Sequence, residues 1–277
     1  LSPNGRTLPL PELPEVETTR QGVLPLIVGR RLEAVNVRDP RLRWPVEIPA
    51  DLVGQSLSGI TRRAKYLQAH FDSGLLLIHL GMSGNLRVVA PDTPYLKHDH
   101  VELCFAGGKS LRFNDPRRFG SVLWHPSGEE DHWLLNRLGP EPLSEEFSGV
   151  YLKRRARHKR IMVKTLLMDS QVVVGVGNIY ANEALFSAGV RPTVRASRVT
   201  LAAYCRIADE VKGVLSRAIE MGGTTLRDFV KQDGNPGYFK QSLNVYGRED
   251  QPCRVCGTQL TGIRIANRAT VYCKNCQ

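Results

Sequence analysis

No stretch of the 277-residue sequence is apolar for long enough to cross a membrane. The longest such run, LLLIHLG at residues 75–81, has the length of a buried strand. Aromatic residues are few, at 7%, within a hydrophobic share of 42% that is ordinary for a soluble globular protein. Acidic residues are short as well: 27 Asp and Glu face 38 Lys and Arg, for a net charge of +11. That balance points to a polyanion, either nucleic acid or an anionic membrane, and the missing span turns the reading toward nucleic acid. The opening residues lack a basic segment followed by a long apolar one, so no secretory leader is expected and the expected setting is a reducing cytoplasm. Six cysteines there imply thiols or metal ligands, not disulfides. Internal repeats and low-complexity segments are missing too.

What is present divides the chain in two. YLQAHF and LLLIHL flank the turn sequence DSG, and HVELCF, SLRFN and GSVLWH continue a series of short apolar runs with Gly-containing breaks, so the first half reads as strands. A helix should lead it, with Pro14 in the first turn, Glu15 and Glu17 beside the positive dipole end, and a course toward Gly22. The polar stretch Gly139–Gly149 separates this half from IMVKTLLMD, NIYANEALFSAG and LAAYCRIADEVKGVLSRAIEMGG, which carry apolar residues at helical spacing, with Gly189 and Gly222 placed to stop two of the helices.

Cys253-x2-Cys256 and Cys273-x2-Cys276 form two knuckles that together supply the tetrahedral thiolate set of a structural zinc. Four thiolates leave no open coordination position, so this metal holds a fold and activates no water. Cys104, in a strand-like run, and Cys205, on an apolar helix face, read as buried packing residues. The run Lys153–Arg160 has six basic residues in eight and stands ahead of a helix; alone it reads equally as a solvated charge run or as a contact for a polyanion. Gly175-x-Gly177 opens like a dinucleotide fingerprint, but Tyr180 occupies the position where Gly or Ala is needed. A turn that offers backbone N–H groups to a phosphate and a purely structural turn both remain open. NDPRRFG and HLGMSG place Arg117, Arg118, Phe119 and Met82 near turns, where a cation and an aromatic wedge suit insertion into a duplex, although exposed arginines and core phenylalanines are commoner.

Together PELPEVET, RRAKYL, HLGMSG, KHDH, DPRRFG, LGPEPL, LLMD, VVGVGNIYANEALF, GGTTLRDF, PGYF, VYGR, PCRVCGT and RATVYC, in this order from Pro11 to Gln277, resemble the bacterial formamidopyrimidine-DNA glycosylase family. The resemblance implies an α+β multidomain fold: an N-terminal β-sandwich with flanking helices over 11–139, a helix-two-turn-helix domain over 150–232, and a C-terminal zinc ribbon over 243–277. It implies a monomer acting on double-stranded DNA with oxidised bases in a bacterial, nucleoid-associated cytoplasm, and a bifunctional glycosylase and abasic-site lyase that excises oxidised purines through an N-terminal proline Schiff base, then completes β,δ-elimination. One structural Zn2+ is the implied cofactor.

Carried over position by position, the resemblance makes Pro11 the nucleophile, Glu12 the acid/base at the reacting sugar and base, and Lys65 the proton donor for β-elimination. Arg268 matches the proton donor for δ-elimination, with a simple phosphate contact still open, since arginine hardly ever yields a proton. Met82, Arg117 and Phe119 match the trio that fills the space left by a flipped base, and His98, Arg160, Asn178 and the Gly175–Gly177 turn match phosphate contacts. Glu183 is expected near the amine, and 222–238 is expected to be the loop that closes over the flipped base. Proline chemistry fits because an α-amine titrates at about 8, whereas a free lysine at about 10.4 is almost wholly charged at neutral pH. With Pro11 in amide linkage to Leu10 the nitrogen has no usable lone pair, so residues 1–10 are expected to be a non-native extension and Leu10 to mark an initiator Met that is removed. The relative that removes oxidised pyrimidines fits less well, because PELPEVET and the Met82, Arg117, Phe119 set resemble the purine enzyme. A silent damage-binding protein is the reading if the extension persists.

Overall fold

The computed structural model describes residues 11–222 and 242–277, which fall into two compact units, 11–135 and 136–222 with 242–277. The closing loop expected at 222–238 and the expected extension at 1–10 lie outside the described residues, Gly222 apart.

The first unit begins with α1 (Leu13–Ile27). Its start follows from sequence: Glu12 is extended at the N-cap, Pro14 needs no N–H partner in the first turn, and Glu15 Oε2 accepts the Glu12 N–H at 3.0 Å. The helix does not stop at Gly22 as expected. It runs five residues further because Val23 and Ile27 are buried in the sandwich core, and the N–H that Pro25 lacks is missed only in the last turn.

Eight strands follow: β1 (Leu32–Val37), β2 (Gly59–Arg63), β3 (Tyr66–Phe71), β4 (Gly74–His79), β5 (Asn85–Val89), β6 (Asp99–Phe105), β7 (Lys109–Asn114) and β8 (Ser121–Pro126). They form two antiparallel four-stranded sheets, ordered β1-β6-β7-β5 and β2-β3-β4-β8. The strands expected on either side of DSG and from HVELCF, SLRFN and GSVLWH are all there, and Phe71 pairs with Gly74 across the Asp72–Ser73 turn. Alternation along β3 sends Leu67, Ala69 and Phe71 inward to join Leu76, Ile78, Leu103 and Phe113 in one aliphatic-rich core with Val16 and Ile27 of α1. Beside it Arg112, fully buried, donates from Nε to Glu102 Oε1 at 2.8 Å, while Tyr95 and Asn36 donate to Glu102 Oε2.

The second unit packs α2 (Gly149–Ala156), α3 (Val163–Leu167), α4 (Asn178–Ser187) and α5 (Leu201–Glu220) around Leu152, Leu166, Val173, Ile179, Leu185, Tyr204 and Leu215. A two-stranded hairpin, β9 (Thr261–Ile265) and β10 (Arg268–Tyr272), has its own small cluster of Val245, Leu260, Val271, Cys253 and Cys273. The basic run differs from expectation: Lys153–Ala156 lie in the last turn of α2, capped by the Ser148 side chain, where cations favour the dipole, and do not stand only ahead of α3. The cysteines differ too. Cys205 is exposed and Cys104 half-buried, because Tyr204, Ile207 and Ala208 take the inward positions of α5 and Cys104 sits beside Ser110 and Asn36 on its sheet.

Burial pushes the Glu102 carboxyl up, but hydrogen bonds from Tyr95, Asn36 and Arg112 outweigh it and bring it to about 2 from 4.5. A depressed folded-state value means the pair stabilises fully above about pH 4.5 and loses that contribution as pH falls toward 2. Arg112→Met should therefore lower stability by roughly 3–5 kcal/mol at pH 7, read in urea unfolding, since it strands a buried carboxylate. The difference from wild type should shrink as the titration is carried to low pH.

Candidate functional site

In the first unit, Glu12 is buried at the mouth of α1 and Pro11, half-buried, precedes it. Lys65 stands in the two-residue Ala64–Lys65 turn that joins Arg63 to its partner Tyr66, with Ala64 in the left-handed region at φ +56°. One arginine ties the turn to the helix. Arg62 donates from Nε to Glu17 Oε2 at 3.1 Å and from Nη1 to the Ala64 carbonyl at 2.9 Å. Burial raises the Glu17 carboxyl, yet the bond from Arg20 and the charges of Arg20 and Arg62 leave it below its ordinary value. His79, at the end of β4, packs its ring 4.8 Å from that of Tyr66 and accepts the Gly81 N–H on Nδ1 at 3.0 Å. Burial, with the charges of Lys65 and Arg43, lowers it to about 4, so it is neutral at pH 7.

Met82, Arg117 and Phe119 stand on two loops that Asp115 binds together. This fully buried carboxylate accepts Ser83 Oγ at 2.6 Å and the Arg117 N–H on Oδ1, and the Gly120 N–H on Oδ2 at 2.8 Å. The loops approach so closely that a Cβ on Gly81, at φ +62°, would lie 2.4 Å from the Gly120 nitrogen. Phe119 is 45% exposed, not a core residue, and the Arg117 guanidinium stands 5.3 Å from its ring. Arg118 turns away, through φ +57°, to pair with Asp39. The backbone of Asp115 draws in the start of β6: its N–H donates to the His98 carbonyl, and His100 Nε2 lies 2.9 Å from the Asp115 carbonyl oxygen.

The second unit brings Asn178 and Arg268 onto neighbouring elements. Gly175 has φ +77° and Gly177 caps α4, so Asn178 is the first residue of that helix. Arg268, exposed, opens β10 after a two-residue turn in which Ala266 and Asn267 both have positive φ. Lys164 and Asn178 both donate to the Ala269 carbonyl, at 2.9 and 3.0 Å, and Asn182 Oδ1 accepts the Val271 N–H, so β10 is laced to α3 and α4. Arg160 is exposed in the stretch between α2 and α3. Glu183 spends both carboxylate oxygens on the N–H groups of Asn244, Val245 and Tyr246, at 2.8–2.9 Å.

Cys253, Cys256, Cys273 and Cys276 place their sulfurs within 4.8 Å of one another, with 3.9 Å between Cys253 and Cys276 and 3.5 Å between Cys256 and Cys273. A tetrahedron with Zn–S bonds of about 2.3 Å asks for about 3.8 Å, so the four thiols fit one zinc ion with no open position. Gly257 at φ +74° lets the first knuckle close, as the Cys253 N–H donates to the Thr258 carbonyl. Hydrogen bonds from Thr258 lower the Cys256 thiol, while the hydrogen bond it shares with Cys276 pushes that thiol up.

Sequence reasoning missed Asp115, Lys164, His79 and the Glu17–Arg62 pair. Asp115 alone had a local signal, an acid opening the turn DPRRFG.

Three family models match in series: "Formamidopyrimidine-DNA glycosylase N-terminal domain" over 10–122, "Formamidopyrimidine-DNA glycosylase H2TH domain" over 138–230, and "Zinc finger found in FPG and IleRS" over 250–277. The formamidopyrimidine-DNA glycosylase of Hahella chejuensis is 56% identical over 97% of this chain and all of its own, and that of Marinobacter nauticus 55% identical over the same shares. Among solved structures, a Lactococcus lactis FPG mutant in complex with Fapy-dG containing DNA has a TM-score of 0.88 at 32% identity, covering 96% of this chain and 99% of that one. The MutM (FPG) protein of Thermus thermophilus has a TM-score of 0.84 at 40% identity, covering 96% and 98%.

Purified, unchelated protein should carry one zinc per chain by metal analysis. Cys256→Ser should lose most of it and weaken DNA binding severalfold by loosening the hairpin that carries Arg268, while the far-ultraviolet helical signal of α2–α5 stays.

Proposed function

The chain belongs to the formamidopyrimidine-DNA glycosylase family, and we propose from that premise how its own side chains divide the work of a bifunctional DNA glycosylase and abasic-site lyase for oxidised purines. The observation that carries the assignment is a carboxylate buried directly beside Pro11 at the start of a helix: Glu12 is 2% exposed. A buried acid there can exchange a proton with the sugar or the departing base without competition from bulk water.

Pro11 acts as the nucleophile, and it does so as an N-terminal secondary amine. Its nitrogen bonds to C1′ of the damaged nucleotide, the bond from C1′ to the base breaks, and the base leaves with a proton. The nitrogen then gives up its proton, the C1′–O4′ bond breaks with O4′ taking a proton by way of Glu12, and the nitrogen lone pair closes a cationic iminium with C1′. Lys65, held on its two-residue turn, serves proton transfer in β-elimination. Arg268, at the hairpin tip, serves δ-elimination or holds the phosphate that leaves. Zinc, when bound by the four cysteines, fixes the hairpin and takes no part in bond making.

Met82, Arg117 and Phe119 occupy the space a flipped base leaves, so unstacking by a few kcal/mol is offset. His98, Arg160 and Asn178 hold phosphates and position the duplex without reading its sequence. Asn178 already gives one amide hydrogen to Ala269, so its phosphate contact would use the other. The work is shared among a catalytic domain over 11–139, a helix-two-turn-helix domain over 150–232 and a ribbon over 243–277. A single chain suffices, acting at the nucleoid.

Protein beginning at Pro11 should form a borohydride-stable adduct with duplex containing an oxidised purine, while protein retaining residues 1–10 should not. Glu12→Gln in the shortened form should suppress base release by orders of magnitude yet leave trapping at a preformed abasic site. Equal trapping by a verified, intact long form would make another residue, Lys65 first, the nucleophile. Phe119→Ala should slow excision from duplex at least tenfold and largely spare strand cleavage at a preformed abasic site; equal losses on both substrates would remove Phe119 from gap filling.

A further inference from the structure

The second unit has a cavity of about 850 Å³ between the end of α2, the 195–198 segment and the first residue of α5. Five arginines line it: Arg154, Arg157, Arg160, Arg195 and Arg198. No carboxylate does, and among the described residues none of the five has an ion-pair partner. In the first unit, by comparison, Arg20, Arg41, Arg62, Arg87, Arg112 and Arg118 are each paired with an acid. All five arginines of the cavity are exposed, so their mutual repulsion is carried by solvent and counterions until an anion replaces them.

We propose that this basin holds the sugar-phosphate backbone of DNA flanking the damaged site, beyond the lesion-centred contacts, a reading that rests on the DNA-repair function above. Three features favour a nucleic-acid backbone over a single small anion. The cations come from two chain segments nearly forty residues apart and surround an open space far larger than one phosphate. Arginine forks match phosphate oxygens in pairs, and Arg160 belongs both to this wall and to the proposed phosphate contacts, so the basin continues that path. Val150 and Leu201, 65% and 47% exposed, line the same cavity and offer apolar contact to deoxyribose. The contact is sequence-independent and acts through counterion release.

The test uses zinc-loaded protein beginning at Pro11, with the variant R195Q/R198Q and the charge-keeping R195K/R198K, on lesion-centred duplexes of about 12 and about 30 base pairs. With two fewer phosphates neutralised, the slope of log affinity against log salt on the long duplex should fall in magnitude by about 1.8, making the decline from 50 to 200 mM salt about twelvefold smaller. The lysine variant should keep the slope, and base release from the short duplex should be unchanged in both variants. An unchanged slope on the long duplex overturns the proposal and leaves the basin to some other anion, an acidic protein included. Equal losses on both lengths also overturn it, since the arginines would then serve the lesion or the fold. If R195Q/R198Q does not fold, R154Q/R157Q is read by the same criteria. Failure of the underlying function looks different: the wild type would release no oxidised purine from either duplex.

Discussion

Asp115, Glu183 and Glu15 are each almost closed to water, and each spends carboxylate oxygens on main-chain N–H groups. A buried carboxylate is costly unless such bonds replace its hydration, and charge-assisted bonds to N–H groups are among the stronger ones a protein can make. The proposed chemistry stands on the backbone that these acids hold. Asp115 sets the loops of Met82, Arg117 and Phe119; Glu15 closes the first turn beside Pro11 and Glu12; Glu183 clamps residues 244–246. Both Glu183 oxygens are engaged by these main-chain N–H groups, so in the second unit its carboxylate holds backbone.

A protein short of acids thus places several of them inside, some with a buried cation for company, as Glu102 has in Arg112. In the first unit this gives a framework in which Arg112, Arg62 and Arg118 are structural. Two adjacent arginines show the division: Arg118 is bound to Asp39, while Arg117 stands over Phe119 on the exposed loop. Sequence proximity made them look alike; a single left-handed residue separates their duties.

Much of the site was legible because its signals are local. Cysteine spacing contains its own geometry, alternation in YLQAHF contains its inward face, and the glycines after α4 and α5 contain their stops. What escaped depends on partners distant in sequence. Asp115 acquires its role from Ser83, Lys164 from Thr270, and Arg62 from Glu17, none of which a local window includes. Helix α2 escaped for another reason: only Gly149, Leu152 and Ala156 face inward, at helical spacing, and the cations between them look like a solvated run.

The outward position of Cys205 has a practical side. All six cysteines are described; four converge on the metal cluster and Cys104 is half-buried, which leaves one accessible thiol away from the zinc. Cys205 sits where α5 meets α2 so tightly that a Cβ on Gly149 would come within 2.4 Å of its backbone nitrogen. A fluorophore attached to that sulfur would be a single-site reporter on the helical scaffold, sensitive to the α2–α5 seam and chemically separate from the metal it leaves in place.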